Sequence, residues 1–181
     1  MLFSAADGTP HSSSGEQMPP RWDLSDLYAS PEDPVLASDF DRWAGAARSF
    51  CETYKGRLKT LTGAELAKAF AEYEAIEEGL GKIGSFSSLG FAAHTTDPVW
   101  GRFAQGVQER MTEVASDLMF FTLELNRIPD EVLARICEAQ EMRKWDPYLR
   151  DLRMYRPYQL SDEVEQVLLV KSVPGRNAWT R

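Results

Sequence analysis

Two histidines and two cysteines are the side chains best suited to metal or nucleophilic chemistry in this 181-residue sequence. Their spacing supplies neither. His11 stands in a run rich in Ser, Gly and Pro, and His94 precedes Thr95, Thr96 and Asp97 where two helical patterns meet. A zinc peptidase centre needs two histidines four residues apart on one helix face, with a glutamate to activate water. That arrangement is missing from the sequence, as is the Glu-x-x-His of di-iron bundles. Cys51 and Cys137 form no CxxC, and Cys137 has no histidine base nearby in sequence, so both read as core thiols. No residue is therefore assigned a catalytic, cofactor-binding or metal-binding role.

The charged clusters offer binding chemistry instead. Glu72, Glu74, Glu77 and Glu78 crowd one segment, which reads as a solvated helix face; nothing around them suggests the pocket a catalytic carboxylate pair requires. Arg143, Lys144, Arg150, Arg153 and Arg156 interleave with Trp145, Tyr148, Tyr155 and Tyr158. This stretch can pack internally, partly by pairing with the acidic segment. It can also face a peptide or another domain, or bind nucleic acid. Internal packing is favoured, and the net charge of -8 weighs against a phosphate backbone. GLGKIGSF lacks both the glycine pattern and the Lys-Ser/Thr end of a phosphate loop.

The elements that carry these residues read as helices. The sequence is 43% hydrophobic and 27% charged, a globular profile whose length suits one unit. Residues 1–20 contain no Lys or Arg and are expected to form a flexible tail. Trp22, Leu24, Leu27 and Tyr28 then anchor the chain to its body. A first helix starts within Ser30–Pro34 and repeats apolar residues at Leu36, Phe40, Trp43, Ala47, Phe50, Tyr54 and Leu58. Thr62 and Glu65 form a capping box for a second, whose Gly79, Gly81, Gly84 and Gly90 signal either close packing or a break. Asp97-Pro98 opens a third that runs to about Asn126 with a wide apolar face. Shorter helices follow from Pro129, around Tyr148–Met154 and after Leu160–Glu163. The expected fold is all-α, of long amphipathic antiparallel helices. No apolar run approaches the roughly 20 residues that cross a bilayer, and the opening lacks the basic region of a signal peptide. A cytoplasmic location without membrane contact is expected.

Several phrases carry a family resemblance: WDLSDLY at Trp22–Tyr28, SPEDP at Ser30–Pro34 and FCETYKGRL at Phe50–Leu58. DLMFFTLELNRIPDEVL at Asp117–Leu133, YLRDLRMYRPYQLSDEVEQVL at Tyr148–Leu168 and GRNAWTR at Gly175–Arg181 continue the series. In this order and spacing they resemble the N-terminal region of oligoendopeptidase F, in the M3 family of zinc metallopeptidases. The resemblance implies a mostly helical cytosolic enzyme that hydrolyses short, unstructured peptides in a deep cleft. Its zinc would sit on an HExxH helix with a further glutamate as ligand, and none of those residues maps onto this sequence. Residues 21–181 are therefore expected to form a noncatalytic cleft-wall lobe, inactive alone. Zinc, the C-terminal catalytic domain and the oligopeptide substrate belong to the implied full-length enzyme. Apolar surface left bare by the missing domain predicts self-association. The alternative is a stand-alone helical module that binds proteins or peptides.

Overall fold

A computed structural model describes residues 23–179. The expected tail over residues 1–20, and the anchor Trp22, lie outside the described residues. The chain first settles at Tyr28, which is buried, packs its ring edge against Phe86 and donates its hydroxyl to Asp39 at 3.0 Å. Leu24 and Leu27 lie half-buried beside it.

Helix α1 spans Pro34–Tyr54. Asp33, rather than Ser30, caps it by accepting the Val35 N–H at 2.8 Å, and Pro34 occupies the first helical position. Ser30 shapes the preceding turn instead, accepting the Glu32 N–H. The apolar stripe predicted to reach Leu58 along one helix is cut after Tyr54. Gly56 turns the chain with φ +80°, and its N–H donates to Glu124 at 2.6 Å. Leu58 is then buried from a short 3₁₀ turn, Leu58–Thr60.

Helix α2, Gly63–Ala93, opens on the capping box: Thr62 accepts from the Glu65 N–H, and Glu65 reaches back to the Thr62 N–H. It runs unbroken through its glycines. The reason is close packing: a methyl group at Gly79 would overlap the Trp43 ring of α1, and one at Gly90 would overlap Trp100. Helix α3, Pro98–Arg127, starts at the Asp97 cap and carries Trp100. Phe50, late in α1, meets Tyr73, early in α2; Phe70 of α2 meets Phe121, late in α3. These pairings set α2 antiparallel to both α1 and α3, so α1 and α3 run parallel to each other, late Phe50 against late Phe121, and each long helix packs on the other two. Phe40, Phe70, Phe86, Phe121, Ile83 and Leu125 fill the interior between them.

Short pieces follow: α4 (Asp130–Cys137), a 3₁₀ stretch (Gln140–Trp145), α5 (Asp146–Arg153), a 3₁₀ turn (Arg156–Tyr158), α6 (Asp162–Ser172) and α7 (Arg176–Trp179). The pieces from α4 to α5 wrap the end of the bundle where α2 begins and α3 finishes, with Met142, Trp145 and Leu149 buried against it, and α6 then runs back along α3. All regular structure among the described residues is helical. No described helix is long and apolar enough to cross a membrane.

Candidate functional site in the C-terminal helices

His94 closes α2. Its Nδ1 lies 2.9 Å from the Gly90 carbonyl, which can only accept, so Nδ1 carries the proton. The ring stacks on Trp100 at 5.2 Å and 6°. Cys51 and Cys137 are free and half-buried against the core, and burial pushes both thiols up, away from the reactive thiolate. Zinc does not fit these residues: among those described, no three His, Cys, Asp or Glu side chains are grouped as ligands would be.

The acidic and basic clusters meet each other. Glu74 accepts from the Lys144 ammonium and from the Trp145 indole N–H, both at 2.6 Å, and Lys144 holds its carboxyl below the usual range. Trp145 stacks on Phe70 at 5.2 Å, so a single exposed glutamate locks the 3₁₀ stretch onto α2. Glu72 pairs with Lys68 on the surface. Burial and neighbouring Glu77 raise the Tyr73 hydroxyl well above its ordinary value.

Arg153 reaches deeper than the sequence indicated. Its side chain is 14% exposed. Nη1 donates to the Leu125, Asn126 and Ile128 carbonyls at 2.9, 3.2 and 2.8 Å, and Nη2 pairs with Asp130. A helix ends with carbonyls that lack intrahelical partners and with a partial negative charge, and this guanidinium answers both. Arg156 adds a second contact to Asp130 at 3.0 Å, and the Arg153 bond holds the Asp130 carboxyl below its ordinary value. The sequence signal was a basic residue on an aromatic-rich helix. Its partner carbonyls, 25 to 28 residues earlier, carried none.

Beyond Arg153 the packing loosens. Arg127 clamps the start of α6 through a two-pronged pair with Asp162, and Gln159 donates to the Leu123 carbonyl at 3.1 Å. Yet no residue of α6 is buried. Val164, Val167 and Leu168 recur at helical spacing and stand 45–56% exposed. Met154, Tyr155, Tyr158 and Leu160, at the end of α5 and in the connection to α6, are exposed as well, with Tyr158 at 78%. Of twelve large apolar residues exposed in the described structure, ten lie between Tyr148 and Trp179. A few hundred Å² of contiguous apolar surface on a soluble chain marks an interaction site more often than idle surface. The chemistry available here is apolar docking, framed by the Arg127–Asp162 and Arg156–Asp130 pairs.

A family model described as Oligopeptidase F, for the N-terminal region of M3 peptidases, matches residues 124–181. No curated protein and no solved structure matches the chain. The matched stretch begins in the last turn of α3 and takes in Arg153, the clamp on α6 and the whole exposed apolar face.

Proposed function

We propose that this chain is a noncatalytic, cleft-wall lobe of a cytoplasmic oligopeptidase F-type peptidase. In this reading the zinc, its ligands and the water-activating glutamate belong to a separate catalytic lobe. The helical lobe docks on that partner through the apolar face of α5, α6 and their connection. The single observation that carries the reading is a coincidence of position: ten of the twelve exposed large apolar residues lie inside the 58-residue stretch, 124–181, that matches the family model. The lobe's contribution is steric. Three long, mutually packed helices form a stiff wall that narrows access to extended peptides and excludes water around the scissile bond, which strengthens electrostatic effects there.

The test is hydrolysis of an internally quenched peptide in the presence of zinc. The purified chain alone is expected to give no turnover and to hold no stoichiometric zinc. Adding an HExxH-bearing oligopeptidase F lobe should produce a complex with altered turnover, and V164E/L168E should abolish complex formation. Zinc-dependent cleavage by the pure chain alone overturns the proposal, as does failure of the two lobes to associate.

A further inference from the structure

Helix α6 lies along α3 with open space on its flanks. A hollow of about 330 Å³ opens between Leu168 of α6 and Leu118 and Met119 of α3. Another of about 340 Å³ opens between Val170 of α6 and Thr112 and Ser116 of α3. A third of about 710 Å³ runs beside Leu169 and Ser172. Ala115 and Leu169 line both the first and the third, and so mark the narrow strip on which the helix rests. Polar ties are equally sparse. Thr112 and Ser116 turn their hydroxyls to carbonyls of α3 itself, at 2.9 and 3.0 Å. Among the described residues, Asp162 is the one member of α6 that hydrogen-bonds or ion-pairs with another helix, and its partner is Arg127.

We propose that α6 is a hinged strap that leaves α3 as one cooperative unit while the three-helix bundle stays folded, with the Arg127–Asp162 pair as its latch. Both ends can hinge. Residues 159–161 before the helix have no regular structure, and 173–175 after it form a turn containing Pro174 and Gly175. Opening forfeits little, because no residue of α6 is buried and Val164, Val167, Leu168 and Val170 already face water. It also relieves a defect of the closed form. Gln159 Oε1, in the first hinge, is enclosed without a donor, as is Asn126 Oδ1 near the end of α3. A buried acceptor left unpaired is costly, and movement of the hinge lets water reach Gln159. The latch suits a reversible closure: Arg127 and Asp162 stand 46% and 57% exposed, so solvent weakens the pair without abolishing it. Opening bares the strip of α3 around Ala115 that the closed strap covers. The strap rests on packing within this chain and on no partner lobe.

Residue-resolved hydrogen exchange on the full chain, at a dilution where it is monomeric, tests the proposal. A free helix of 11 residues is too short to persist in water, so its amides exchange whenever it leaves α3. The expected result is one shared protection factor over 166–172, about a hundredfold or more below that of 114–125 in α3. D162N, which breaks the latch, should lower the α6 value by a further factor of about two to five, the worth of an exposed ion pair, and leave α3 unchanged. E163Q removes the same charge from the same helical turn but keeps the partner of Arg127, and should change neither. Protection over 166–172 equal to that of α3 overturns the proposal, as does protection graded from the helix ends, which is fraying. So does a D162N effect that E163Q reproduces or that α3 shares.

Discussion

A guanidinium has five donors and no acceptor, so enclosing one demands several oxygens at fixed angles. Arg153 finds three carbonyls around the end of α3 and the Asp130 carboxylate, and thereby joins α3, α4 and α5 at one point. Replacing it with methionine keeps much of the packing and removes the donors. R153M is expected to lower unfolding free energy by about 2–3 kcal/mol in urea titration, because the carbonyls lose a charged partner. R153K should recover only part of that, since an ammonium cannot reproduce the planar fork. Asp130 adds a pH signature. Its folded-state carboxyl titrates below its ordinary value of 3.8 because of Arg153. Its contribution is therefore complete above the unfolded value and disappears as pH falls through the lower, folded one. Thermal melts from pH 5 to 3 should show a shallower acid limb for D130N than for the parent chain. Capping residues were legible in advance: Thr62, Glu65 and Asp97 act through neighbours two or three positions away. Arg153 was not, because its partners become neighbours only once α5 folds back on α3.

At the scale of elements, glycine carries the sharpest lesson. A helix interior normally prefers alanine to glycine by about 0.5–1 kcal/mol. In α2 the sign depends on what faces the missing side chain. Gly81 looks into open space, so G81A is expected to stabilise by about that amount. Gly79 and Gly90 each hold a tryptophan ring against the backbone, so G79A and G90A are expected to destabilise, with midpoints moving the opposite way in the same denaturation assay. The sequence alone left two readings of this run, a break or a close approach. A count of glycines does not separate them; the partners Trp43 and Trp100 do, and they sit on other helices. The long helices themselves were visible from apolar spacing because each buries a continuous stripe. The end of α1 was misjudged for a related reason: Leu58 keeps the period and is fully buried, although the left-handed Gly56 has already turned the chain.

For the whole molecule, the decisive asymmetry lies between a well-filled three-helix bundle and a C-terminal edge that is bare. The bundle follows from apolar periodicity. The bare edge does not, since Val164, Val167 and Leu168 have the spacing of a buried stripe and yet face solvent. Self-association through that face is the expected behaviour of the isolated chain, read as rising mass in light scattering across a concentration series. V164E/L168E should restore a monomer while leaving the denaturation midpoint nearly unchanged, because exposed substitutions usually shift stability by less than about 0.5 kcal/mol. Trp145 gives the same molecule a built-in optical gauge. Its indole is held by a surface carboxylate on one side and by the Phe70 ring on the other. Any event that lifts the 3₁₀ stretch from α2 changes both surroundings at once, so the part of the five-tryptophan ultraviolet emission that W145F lacks would register the loosening of the C-terminal edge before the bundle itself melts.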